Sequence, residues 1–123
     1  MKYLCLAYEE EAQLNRLTRR EWDELRTETL DYVAALRERG VLVDTHALRS
    51  ATTATTVEVR NRQVSVTDGP FIETKEQIGG YFLIEADDLN QAICVAADWP
   101  SARIGTIEVR PIVDELPLDQ RYD

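Results

Sequence analysis

One stretch, Asp68 to Glu85, leaves this chain fewer choices than any other: Asp-Gly-Pro-Phe-Ile-Glu-Thr-Lys-Glu-Gln-Ile-Gly-Gly-Tyr-Phe-Leu-Ile-Glu. Gly69 tolerates a positive φ and Pro70 fixes its own, so the stretch opens with a turn. Glu73, Thr74, Lys75 and Glu76 follow, and the pair Gly79-Gly80 then leads into an apolar run, Tyr81 to Ile84, that reads as a buried strand. A charged segment pinned between a rigid turn and a core strand has little freedom. Phe71 is the apolar anchor expected to be buried under it, which would make the segment a clasp whose charges wall a pocket. A plain solvated connection is the simpler alternative.

The remaining elements follow in order. Lys2 to Tyr8 reads as a central strand, because Tyr3, Cys5 and Ala7 share one face and Leu4, Leu6 and Tyr8 the other. Glu9 to Leu17 reads as a polar connection. Thr18-Arg19-Arg20-Glu21 matches a capping box, with Leu17 and Trp22 at the staple positions. Trp22, Leu25, Val33 and Leu36 then recur at helical spacing as far as Gly40, placing a helix at about 19–39. Val41 to Leu48 is a second strand. Thr56 to Arg60 and Gln63 to Thr67 alternate around Asn61-Arg62 as a hairpin, with Val57, Val59, Val64 and Val66 inward. Asp87-Asp88 caps a second helix whose stripe is Leu89, Ala92, Ile93, Ala96 and Ala97, ended by Trp99-Pro100. Thr106 to Arg110 is the last strand, with Ile107 and Val109 inward. The order is β-α-β, an inserted hairpin, then β-α-β: an α+β, ferredoxin-like βαββαβ plan with one sheet covered on one side. Residues 1–113 form the single domain and 114–123 an acidic tail.

Composition narrows the function classes. A net charge of −9 repels phosphate backbones, so direct nucleic-acid binding is not expected. No apolar run is long enough to span a bilayer, and the N-terminus lacks a signal-peptide pattern, which makes the cytoplasm the expected location. Cys5 and Cys94 have no further cysteine partners and read as small core residues.

The Asp68–Glu76 nonapeptide, the run from Gly79 to Glu85 and Gly105-Thr106-Ile107-Glu108-Val109-Arg110-Pro111 resemble the signature of the DGPFAETKE proteins, a branch of the YCII-related domain family, with Ile72 where alanine is usual. The resemblance covers nearly the whole chain. It implies a dimeric α/β-barrel fold, in which two sheets face each other across a homodimer. It also implies an alternative role, as an acidic accessory of an extracytoplasmic-function sigma factor acting through protein contacts. Some family members are thought to pair a histidine on the first helix with an aspartate near the end of the second. Here Asp98 could take the aspartate's place, but the first helix has no histidine.

Several residues are candidates for chemistry. His46 is the only histidine, and alternation puts it with Asp44 and Leu48. It is either a general base or a hydrogen-bonded structural residue. Asp68 either serves catalysis or caps its turn by accepting the backbone N–H two residues on. Glu73, Lys75 and Glu76 form either an ion-pair net or a cleft wall in which Lys75 binds an anion and Glu73 acts as base. Tyr81 and Arg110 complete the binding candidates, Arg110 if its face lines the barrel. Gly79-Gly80 suits close packing or a bulge. Metal-ligand spacings are missing, so no metal and no cofactor are expected. The expected function is a small-molecule site, an anionic ligand included, next to the Asp68–Glu76 segment, with cofactor-independent acid/base chemistry as the reaction type those residues allow.

Overall fold

A computed structural model of the chain describes residues 1–113, so the expected acidic tail lies outside the described residues. The elements are β1 (Lys2–Glu10), α1 (Glu11–Leu14), α2 (Arg19–Glu38), β2 (Leu42–Ala47), β3 (Thr55–Arg60), β4 (Gln63–Asp68), β5 (Glu76–Glu85), α3 (Leu89–Ala97) and β6 (Thr106–Pro111). Four strands make one sheet in the order β2-β5-β1-β6, every neighbouring pair antiparallel, while β3 and β4 pair only with each other. This is the ferredoxin-like plan with a hairpin inserted between its second and third strands.

The local signals account for the helix ends. The Thr18 hydroxyl accepts from Glu21 N–H at 3.1 Å, and the Glu21 carboxylate accepts from Thr18 N–H at 2.9 Å, closing the capping box. At the other end Gly40 takes φ +71°, and Val41 and Gly40 donate to the Leu36 and Arg37 carbonyls, a Schellman stop. Asp88 caps α3 by accepting from Gln91 N–H at 2.8 Å.

β1 and β5 are central, and their helix-facing residues Tyr3, Cys5, Phe82 and Ile84 are buried with Val33, Leu36, Ala92, Val95, Ala96 and Trp99. Phe82 stacks on Trp99 with ring centroids 3.9 Å apart and planes 9° from parallel, and Tyr32 meets the Trp99 edge at 6.0 Å. Burial pushes the Cys5 thiol up to about 12, so it behaves as a small hydrophobe. On the opposite face Leu4, Leu6, Tyr8, Tyr81 and Leu83 are only half-buried, since among the described residues no helix covers that side.

Four expectations need correction. The α3 stripe is Ala92, Val95, Ala96 and Trp99, while Leu89 and Ile93 are each 48% exposed, because the Trp99 anchor sets the helix rotation. Cys94 is exposed for the same reason. The hairpin valines point away from the chain's own core, because β3 and β4 do not join the main sheet. Phe71 is 73% exposed, because the segment after β4 leaves the sheet and is not covered by any described residue.

Burial divides the two phenylalanines energetically. For the isolated chain, Phe82→Ala should cost about 3–5 kcal/mol, whereas Phe71→Ala should cost about 0.5 kcal/mol or less, as surface changes do. Urea denaturation of both variants distinguishes them, and equal losses would refute this division.

Candidate functional site

The apolar stripe of α2 is longer than the surface that covers it. Val33 and Leu36 reach the core, but about two to three turns towards the N-terminus Leu25 is partly open and Trp22 is 46% exposed. Below them opens a cleft of about 780 Å³, bounded by α2, the α1 turn, β2 and the middle of β5. Trp22, Leu25, Leu48 and Trp99 supply apolar wall, and Arg26 and Arg49 add positive charge. Among the described residues neither of these two arginines has an ion-pair partner.

Two carboxyls enter this cleft from the end of β1, and their environments drive them apart. Glu9 continues the inward face of Tyr3, Cys5 and Ala7. It makes no hydrogen bond or ion pair among the described residues. Desolvation by burial, reinforced by the neighbouring Glu11 charge, raises its pKa. Glu11 accepts from Ala51 N–H at 2.7 Å and from the Ser50 hydroxyl at 2.8 Å, which hold its carboxyl below the usual range. One acid shifted up beside one shifted down is an arrangement that suits proton exchange.

The glycine pair makes this possible. The register slips between Ala7 and Tyr8 opposite Gly79, the bulge that the pair suggested. A Cβ at Gly79 would collide with the Glu9 carboxyl, and one at Gly80 would stand 3.0 Å from the His46 carbonyl oxygen. The first glycine leaves room for the acid and the second for the backbone of β2.

The candidates named from the sequence scatter. His46 and Tyr81 line the cleft. Their side chains, however, cluster on the uncovered side of the sheet. Tyr81 donates its hydroxyl to Asp44 at 3.0 Å, His46 Nε2 lies 3.3 Å from the other Asp44 oxygen, and the two rings are 5.8 Å apart. That hydrogen bond to Asp44 raises the Tyr81 pKa. Glu76 pairs across the strands with Glu10 and accepts from the Thr106 hydroxyl at 3.4 Å. Arg110 sits opposite Leu4 on β6. Glu73 and Lys75 are exposed and form no ion-pair net with Glu76. Asp68 ends β4 opposite Thr55 and does not cap its turn, since Pro70 has no N–H to donate. Instead Gly69 donates to the Ala54 carbonyl at 2.7 Å. The Asp68–Glu76 segment stops short of the cleft. It is joined to it by Gln77, a lining residue whose amide donates to the Ile72 and Thr74 carbonyls. Asp98 is exposed at the end of α3 and does not line the cleft. Glu9 and Glu11 were missed as site residues. Carrying the β1 alternation two residues further would have found Glu9.

The family model for the YCII-related domain matches residues 1–116. An uncharacterized protein of Rhizobium meliloti (strain 1021) is 32% identical over 123 residues, covering 95% of this chain and 99% of that protein.

The raised Glu9 pKa carries a sign. Between the ordinary carboxylate value of 4.5 and Glu9's own, the folded chain holds a proton that the unfolded chain has lost. Glu9 therefore makes stability fall as pH rises through that window, and the full penalty persists above it. Glu9→Gln should raise stability at neutral pH and flatten this fall. Gly79→Ala should fold and flatten it too, by displacing a flexible carboxyl, whereas Gly80→Ala should destabilise at every pH by pressing on backbone. Thermal midpoints from about pH 4 to 8 test all three; a Glu9→Gln profile parallel to the parent's would refute the assignment.

Proposed function

The chain belongs to the YCII-related domain family, and on that premise we propose that it binds a small anionic molecule with an apolar body in the cleft beneath Trp22, with Glu9 exchanging a proton with it. The observation that carries this reading is the partnerless, desolvated Glu9 carboxyl in a mostly apolar cleft. Such a cleft with a few convergent polar groups is the usual form of a small-molecule site, and a perturbed acid inside it supplies a reason for chemistry. Trp22, Leu25 and Trp99 suit a flat apolar body. Arg26 and Arg49 suit its negative group. Glu9 serves as general acid when protonated and as base when not, with no cofactor required. The Asp68–Glu76 segment acts at one remove, through Gln77.

The same reading includes a homodimer. Leu4, Leu6 and Leu83 form an apolar strip on the uncovered side of the sheet, half-buried with no helix over it among the described residues, and such a strip is stable when a second sheet covers it. The exposed apolar side chains of the hairpin support a protein-contact role of their own.

Anilinonaphthalene sulfonate, an anionic aromatic dye whose emission rises in apolar sites, tests the cleft. Saturable binding is expected, weakened by Trp22→Ala and by Arg26→Gln/Arg49→Gln. Affinity should rise as pH falls through the Glu9 pKa, because the like charge disappears, and Glu9→Gln should abolish that rise. Dye binding indifferent to all these variants would overturn the proposal.

A further inference from the structure

The hairpin of β3 and β4 is built inside out for a lone chain. Cross-strand pairs Val57↔Val66 and Val59↔Val64 put four valines on one face. These valines are 59%, 63%, 55% and 66% exposed respectively. The opposite, polar face is the better covered one. Thr56 and Glu58 are half-buried, and the Thr56 hydroxyl donates to the Gly69 carbonyl at 2.9 Å. Among the described residues, the arm therefore does not shield its valines by folding back on its own chain. Phe71 and Ile72 follow directly, 73% and 61% exposed. A separate two-stranded hairpin is marginal in water, and an apolar patch of this size on an otherwise charged chain marks a contact surface.

Charge selects the occupant. The tip carries Arg60 and Arg62 around a turn in which Asn61 and Arg62 both have positive φ. Neither arginine has an ion-pair partner among the described residues. The rest of the chain is acidic, with a net charge of −9 overall. Near the end of β1, Glu10 stands directly opposite Glu76 with no cation between them among the described residues, a like-charge pairing that costs stability until a cation approaches. A basic-tipped apolar arm fits an acidic surface carrying an apolar strip, and this chain presents both.

We infer that the β3–β4 arm docks on a second copy of this chain, its valine face on the partner and its arginine tip among the partner's acidic residues, the two arms exchanged reciprocally. The inference rests on the homodimer reading above. Twofold exchange counts the arm twice within one interface and adds it to the open sheet face, towards the ~800 Å² per partner that stable interfaces bury.

Sedimentation equilibrium on the full chain tests it. One variant replaces Val57, Val59, Val64 and Val66 by threonine, which keeps the β-branch and the strand preference while removing apolar surface. The other is Arg60→Glu/Arg62→Glu. The parent is expected to dimerise, and each variant to raise the dimer Kd by ~tenfold or more, with far-UV circular dichroism unchanged. A monomeric parent overturns both the dimer and the arm. A dimeric parent whose variants associate as tightly as it does overturns the arm alone and leaves the open-face dimer standing. If the threonine variant unfolds, the arginine pair, confined to the tip, decides the matter by the same criterion.

Discussion

The stack of Phe82 on Trp99 organises this molecule. Phe82 is fully buried at the centre of the sheet, and Trp99 closes over it from the end of α3 at 3.9 Å. Tyr32 of α2 meets the Trp99 edge and donates its hydroxyl to the Val95 carbonyl at 2.8 Å, so a single aromatic cluster pins both helices to the sheet. The Arg103 fork on Glu28, at 2.6 and 2.7 Å, ties the turn after Trp99 to the middle of α2. All these contacts lie in the middle and C-terminal half of α2. Its N-terminal turns receive no comparable anchor, and Trp22 and Leu25 are left facing a cleft instead of a core. The candidate site is thus a consequence of where the core stops.

Chemistry enters that gap through the backbone. β1 carries Glu9 inward past the last core residue, Ala7. A side chain on β5 would ordinarily fill the facing position, and at Gly79 there is none. Glu11 is then drawn away by Ser50 and Ala51, so that one carboxyl is desolvated and its neighbour is solidly ionised. The two acids differ because one has donors and the other has none. The conspicuous charges of the Asp68–Glu76 segment lack this differentiation. Glu73 and Lys75 face water, and their contribution to the cleft is limited to the loop that Gln77 holds by two carbonyls.

Much of the fold was legible because local signals there have only one reading. The Thr18–Glu21 box, Gly40 and Asp88 mark helix ends by satisfying specific backbone groups, and each does so in the structure. The strand order follows from β-α-β units with a single covered face. The site was harder to read, since its determinants are long-range. Glu9 becomes unusual only when Gly79 lies across from it, and no spacing within one strand encodes that pairing. Residues prominent in the sequence, such as Glu73 and Lys75, owe their prominence to a loop. His46 and Tyr81 were recognised individually, but Asp44 as the acceptor joining them needed the β2–β5 register, which contains a slip of its own at Val43.

The hairpin marks the limit of reading faces from alternation. A period of two separates the valines from Thr56, Glu58 and Ser65 with no ambiguity. It says that one face is apolar, and nothing about which molecule covers it. Within a core strand such as β5 the two questions have one answer, because Phe82 and Ile84 find Trp99 and the helices in their own chain. In β3 and β4 the answers part, since the chain turns the polar face towards itself and offers the valines outward. The same holds for Phe71, whose apolar side chain was read as a reason to be buried in its own fold. Both are exposed in one region, next to a basic tip on an acidic chain, which is the pattern the proposed interface rests on.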